Sequence, residues 1–378
     1  MENIPNGWDL ASIIALTFIK GLTYNECTKI INKYASFDDF SKNAFNLRQG
    51  DFFENESKDK EGISVMQKSE KQIEFAEKNN YKIITIWNDA YPSLLKQIEY
   101  PPIVLYIWGE LQHADAISIS VVGTRKCTYY GKIVTEQFVS EFVKQNLLIT
   151  SGMANGIDYI AHKTAIKNNG ITYALIASGL DKINSHASIQ IANDIVASGG
   201  TIISEYKFGT VALPGYFLHR NRIISGISKA TLVVESAYKG GSLNTAKFAD
   251  MQSRDVFVIP GNITSEKSSG TNNLIRRHKA VIAISPKTML EDMGLLEIDY
   301  KSDTTNQNKN NFHQNITFAN PSEEKIYNNL SNEPLHIDAL IGLTGLDISE
   351  ILVQLIDMEF NGLVKQLPGK HYIKNISL

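Results

Sequence analysis

From residue 117 to residue 285 the chain repeats one unit: a run of four to seven apolar residues, then a longer stretch with helical spacing. The runs fall at residues 117–122, 147–150, 171–177, 201–204, 231–235, 256–259 and 280–284. Short, largely apolar runs of this kind read as strands covered on both sides. Such strands interleaved with helices point to a mostly parallel sheet with helices on both faces. The expected fold is therefore α/β, a doubly wound Rossmann-like sheet over residues 80–290. Two further strands, at 82–87 and 104–108, lead into it.

The flanking segments read differently. Residues 1–65 form a small N-terminal helical domain. Leu10, Ile13, Ile14, Ala15 and Phe18 make one helical face, and Cys27, Ile30, Ile31 and Tyr34 a second. The turn Lys20-Gly21-Leu22-Thr23 between them fits either a degenerate helix-hairpin-helix or a plain packing module. Residues 54–62 read as a charged loop, followed by a helix near 69–78. Residues 299–318 are polar and poor in apolar side chains, as a linker is. Residues 321–378 predict three helices and a hairpin, a winged helix. The third helix, 347–360, carries Ile348, Ile351, Leu352, Leu355 and Ile356 on one side.

The net charge of −3 conceals a division. Residues 117–285 hold 18 basic and 10 acidic side chains, whereas both flanks are acidic. A basic middle segment suggests that a polyanion binds there. The winged helix has 4 basic and 8 acidic side chains, which favours a protein contact over DNA. No run reaches the roughly 18 apolar residues of a membrane span. The first residues lack the basic-then-apolar order of a leader. Cys27 and Cys127 lie far apart and give no metal or redox spacing. A cytoplasmic protein is expected, with no membrane contact, cofactor or metal.

In open α/β sheets ligands sit beyond the carboxyl ends of the strands, so the residues after each run are the candidates. The first group is Gly123, Thr124, Arg125 and Lys126, a glycine, a hydroxyl and two cations ahead of a helix. Backbone amides and the helix dipole favour an anion in such a place. The second is Ser151, Gly152, Asn155 and Gly156, with glycines that let backbone come close to a ligand. Asp158 and His162 follow at helical spacing and read as a structural pair in preference to an acid–base couple. The third is Arg220, Asn221 and Arg222, and the fourth Gly241 and Ser242 opening another helix. No dinucleotide glycine fingerprint, Walker A loop, HExxH, CxxC or nucleophile elbow occurs. Glu205 and Glu235 close strands and read as caps or ion-pair partners. Binding without chemistry is the expectation.

These loops, in this order, resemble the DprA/Smf family of DNA-processing proteins. Val122-Gly123-Thr124-Arg125 with Thr128, Tyr130 and Gly131 is similar to one family motif. Residues 151–162 are similar to a second, and Arg220-Asn221-Arg222-Ile223-Ile224 through Ser228 to a third. Val258-Ile259-Pro260-Gly261 follows in register. Departures are Asn184, Ser185 and Ser188 in place of a Tyr-Pro and an Asn, Ser253 in place of a glycine, and Lys279 in place of another. The resemblance implies a homodimer that binds and protects single-stranded DNA and loads the RecA recombinase on it during natural transformation, without catalytic turnover. It carries Gly123, Thr124 and Arg125 over to the DNA backbone. Arg220 and Arg222 are candidates from charge and position alone. The rival reading is a nucleotide-binding or nucleotide-cleaving protein on a similar sheet, of the phosphoribohydrolase kind.

Overall fold

The computed structural model describes residues 4–5, 7–19, 22–46, 64–112, 115–296, 318, 320–331 and 333–375. Each apolar run of the middle segment becomes a strand. The strands are β1 (Lys82–Thr85), β2 (Val104–Gly109), β3 (Ser118–Val122), β4 (Leu148–Ser151), β5 (Thr172–Ile176), β6 (Thr201–Ser204), β7 (Ala230–Val233), β8 (Asp255–Val258) and β9 (Val281–Ile282). They form one sheet in the order β1-β2-β6-β5-β4-β3-β7-β8-β9. From β6 across to β9 all neighbours run parallel, and β1 and β2 are added antiparallel at one edge. Every residue of β3 to β7 is buried, as uniformly apolar runs require.

Besides the single turn Ser93–Lys96, the described α-helices of this part are α1 (Leu10–Leu16), α2 (Tyr24–Lys33), α3 (Phe37–Asn46), α4 (Val65–Lys78), α5 (Tyr129–Lys144), α6 (Ile157–Lys167), α7 (His186–Ala197), α8 (Pro214–Ile227), α9 (Ser242–Met251), α10 (Ser269–Arg276) and α11 (Pro286–Asp292). The chain lays β3 to β6 outward in one direction. It then returns to the other side of β3 for β7 to β9, so the winding reverses between β3 and β7.

The described N-terminal helices pack into the core of the sheet. Trp8, Ile13, Cys27, Ile31 and Phe40 share one apolar cluster with Ile103, Tyr106, Ala174 and Ile202 of the sheet and its connections. Their role on this side is packing. Capping boxes start α2 at Thr23 with Glu26, and α4 at Ser64 with Gln67. Residues 20–21, the charged loop at 54–62 and residues 299–317 of the expected linker lie outside the described residues.

The C-terminal part is a winged helix. Helices α12 (Pro321–Asn329), α13 (Ile337–Thr344) and α14 (Ile348–Phe360) accompany a sheet of β10 (Leu335–His336), β12 (His371–Lys374) and β11 (Val364–Leu367). Its core holds Ile326, Leu340, Ile351, Leu355, Met358, Val364 and Tyr372. The inner stripe of α14 is narrower than its sequence suggests: Ile351, Leu355 and Met358 turn inward, whereas Ile348, Leu352 and Ile356 are exposed on the adjoining stripe. Among the described residues no single helix is long and apolar enough to cross a membrane.

Candidate nucleic-acid interface

The reversal between β3 and β7 sets the loops that follow those strands side by side, the place where open sheets of this kind form a crevice. The Thr124 amide donates to the Glu235 carbonyl at 2.8 Å and ties the two loops together. Between them lies a cleft of about 340 Å³ lined by Gly123, Thr124, Arg125, Phe217, Leu218, Arg220, Asn221, Gly241 and Ser242, among others. Seven of the sequence candidates thus converge: Gly123, Thr124, Arg125, Arg220, Asn221, Gly241 and Ser242. Lys126 is exposed beside the cleft, and its carbonyl accepts from Lys267 Nζ. Ser242 opens α9 and donates to Ser236 Oγ at 3.0 Å, which fixes the helix start at the cleft. Helix starts present unpaired amides to an anion.

The second loop group supports the cleft from behind. Ser151 is fully buried and donates to the Val121 carbonyl at 2.6 Å. Gly152 and Gly156 come close to protein in place of the expected ligand. A Cβ at Gly152 would stand 2.8 Å from Asp158 Oδ2 and 2.9 Å from Arg220 Nη2. A Cβ at Gly156 would stand 2.2 Å from the Thr124 carbonyl oxygen. These glycines shape the Thr124–Arg125 loop. Asn155 is exposed on the turn before α6 and lies outside the cleft lining.

Sequence presents the two arginines as cations offered to a polyanion, but both are buried. Arg220 reaches under the cleft, where its Nη1 donates to the carbonyls of Gly152, at 2.7 Å, and Leu175. Its Nε donates to Asn221 Oδ1 at 3.2 Å. Burial pushes the Arg220 guanidinium down, to about 10, with Asp158 opposing that fall, so it remains protonated at neutral pH. Burial likewise raises the Asp158 carboxyl, against Arg220 and the Gly152 amide. Arg222 points elsewhere and pairs with Glu205.

Asp158 and His162 do not form a couple. Asp158 accepts from the Gly152 amide at 3.1 Å, while His162 Nδ1, one turn on, meets Thr172 Oγ1 at 2.7 Å. Burial, then Arg220, push the His162 imidazole down to about 3. Its folded value lies below the ordinary one, so the unfolded chain binds the extra proton first. Stability is then complete above about pH 6.5 and falls as pH drops toward 3. Between pH 6.5 and 5, His162 alone should cost the fold roughly 2 kcal/mol, at 1.36 kcal/mol per unit. Urea midpoints at both pH values, for wild type and His162→Gln, check this: the variant should lose much of the slope.

Phe217 and Leu218 are the cleft residues that a loop-by-loop reading of the sequence misses. They are 37% and 49% exposed, although both are large and apolar. The Arg125 guanidinium stands 5.6 Å from the centre of the Phe217 ring. This pairs a cation with an open aromatic face at the rim, the combination on which a base stacks while its phosphate is held. The available signal is helical spacing: 217, 220, 221 and 224 share one face of α8.

A family model for DNA recombination-mediator protein A matches residues 82–294, which contain the whole cleft. The chain belongs to that family. A second model, the DprA winged helix domain, matches residues 316–370. Protein Smf of Escherichia coli is 32% identical over 313 residues, covering 81% of each chain. DNA processing protein DprA of Streptococcus pneumoniae is 34% identical over 207 residues, 55% of this chain and 73% of that one. The crystal structure of the Streptococcus pneumoniae protein superimposes with a TM-score of 0.59 at 30% identity, covering 75% of this chain and 98% of that chain. DNA processing protein A from Helicobacter pylori, solved for its single-stranded DNA binding mode, gives 0.51 at 28% identity over 56% and 95%. Ser253 holds the left-handed backbone, with φ of 55°.

Proposed function

We propose that this family member binds single-stranded DNA along the β3–β7 cleft, shields it, and passes it to the RecA recombinase during natural transformation. The observation that carries this reading is the Arg125–Phe217 pair at the mouth of the β3–β7 cleft. Arg125 and Lys126 hold phosphates, Phe217 stacks a base, and the start of α9 receives a further anion. Arg220 acts beneath the strand by holding the loop ends in place. No turnover is part of this function, and its setting is the cytoplasm. The Helicobacter pylori relative, whose structure concerns single-stranded DNA binding, supports the choice of substrate. The working form is a homodimer. Val281, Ile282 and Ile284 leave the β9 edge of the sheet apolar and exposed, and such an edge invites a second copy.

Fluorescence anisotropy of labelled oligonucleotides across a salt series tests the reading. Single strands should bind more tightly than duplex, because stacking on Phe217 needs an open base. With two phosphates neutralised, log affinity should fall with log salt at a slope of about −1.4. Arg125→Ala should cost about 1–3 kcal/mol, a loss of roughly 5- to 150-fold. Duplex preference, or unchanged binding by Arg125→Ala, would remove the cleft as the DNA site.

A further inference from the structure

Helix α8 has a second lined face. Phe217, Arg220 and Asn221 turn to the cleft described above, whereas Tyr216, His219 and Arg222 turn to another, of about 460 Å³. The two linings have no residue in common. The second cleft lies between the N-terminal helices and the sheet, with Tyr24 and Cys27 on one side and Glu205, Tyr206 and Lys207 on the other. Its size falls within the range of about 300–1,000 Å³ usual for small-molecule sites.

Its charges do not balance. Arg222 is only 6% exposed. It donates to Glu205 through Nη2, and to His219 Nε2 at 3.2 Å through Nε. Its Nη1 is buried without a hydrogen-bond partner among the described residues. Glu205 is already shared between Arg222 and His219. Burial alone would raise its carboxyl, but these neighbours outweigh that and hold it below the ordinary range. Lys207 is the second cation. Its Nζ donates to the Thr17 carbonyl at 2.8 Å and sits 3.9 Å from the centre of the Phe18 ring, with no carboxylate in ion-pair range among the described residues. Burial, then Lys68, push its ammonium down to about 8. Of these two sheltered cations only Arg222 has a carboxylate among the described residues, and an unmatched sheltered charge is costly unless something else compensates it. The aromatic component is Tyr206 stacked on Tyr216, with ring centres 4.4 Å apart at 24°.

We propose that this second cleft binds a small planar organic anion, an aromatic ring carrying a phosphate monoester or a carboxylate. The ring lies against the Tyr206–Tyr216 pair. The anionic oxygens take the unpartnered Nη1 of Arg222 and the Lys207 ammonium, and so neutralise the excess charge. The bound molecule touches Thr23 or Tyr24 of the N-terminal segment and Tyr216 of α8, and joins those two elements. This site is independent of the DNA cleft, and either can fail without the other.

Titration calorimetry on the full chain tests it with four probes: dAMP for the phosphate source, orotate for the carboxylate source, deoxyadenosine as a ring without charge, and inorganic phosphate as charge without a ring. Expected is saturable binding of dAMP or orotate at one per chain, with deoxyadenosine and inorganic phosphate at least roughly tenfold weaker, about the worth of one lost charge-assisted contact. Binding of dAMP alone identifies a phosphate monoester, and of orotate alone a carboxylate. Lys207→Met keeps the alkyl stem over Phe18, and Tyr216→Ala removes a partly exposed ring, so both variants should fold. Each should weaken binding by roughly tenfold, and Arg125→Ala should leave it unchanged. Three results overturn the proposal: no saturable binding of either anion, deoxyadenosine binding as tightly as dAMP, or loss of binding in Arg125→Ala with none in Lys207→Met and Tyr216→Ala.

Discussion

Arg220→Met should lower the unfolding free energy of the α/β part by about 3–5 kcal/mol, the cost of removing one member of a buried charged network. The side chain is 5% exposed and donates to Gly152, Leu175 and Asn221. Methionine fills similar space but offers no donor. The carbonyls at the ends of β4 and β5 then lose a partner, and the Asp158 carboxylate, already raised by burial, loses its main compensating charge. Trp8, Trp87 and Trp108 all belong to the sheet and its packing helices, so tryptophan fluorescence in urea reports this part without the winged helix. A loss below about 1 kcal/mol, the size of an exposed ion pair, would mean that Arg220 is not the buried tie described. Single-stranded DNA binding should fall in parallel, because the loop after β4 that Arg220 holds runs on to Gly156 and Ile157, which pack on and donate to the Thr124 backbone.

Gly156→Ala should be nearly as damaging, for a different reason. Gly156 has φ of 81° and ψ of −128°, a combination that side-chain-bearing residues rarely adopt. Backbone strain there is worth about 1–3 kcal/mol. The added methyl would also stand 2.2 Å from the Thr124 carbonyl oxygen, and overpacking adds about 1–3 kcal/mol more. The least costly relief is to push the Thr124–Arg125 loop away, so DNA affinity should drop even in the fraction that stays folded. Gly241→Ala is the matched control. Gly241 has φ of −62°, and a Cβ added there would meet nothing within 4 Å. That variant should keep wild-type stability in the same urea titration. Equal loss in the two variants would show that position relative to the Thr124 loop is not what matters.

The sheet is legible in the sequence because a strand buried on both faces takes apolar side chains and hydroxyls but no charges; β5 and β6 are such runs, and their limits agree within two residues. The site is legible only as far as its loops. Gly123, Thr124 and Arg125 can be placed because they follow a central strand, and location at a strand end is topological. Arg220 and Arg222 cannot, because a sequence displays charge but not burial. Two residues apart on a helix point about 200° from each other, so these two serve different clefts. Phe217 escapes notice because an aromatic near a helix start looks like core until its neighbours are known. Gly156 reads as a ligand-facing glycine, since a close approach to protein and a close approach to phosphate demand the same missing side chain.

The hydrogen bond from Thr124 to Glu235 also dictates when the cleft can exist. Its partners are 111 positions apart in the chain, and β3 pairs with β7 across a similar span. Contacts that distant in sequence form late and slowly, because the intervening chain must be ordered before closure is rewarded. A chain emerging from the ribosome therefore carries Arg125 long before it carries the loop that positions it. The cleft is completed in one step, with the closure of β7 on β3, and a truncated product that ends before residue 230 lacks the strand and loop that form its second wall.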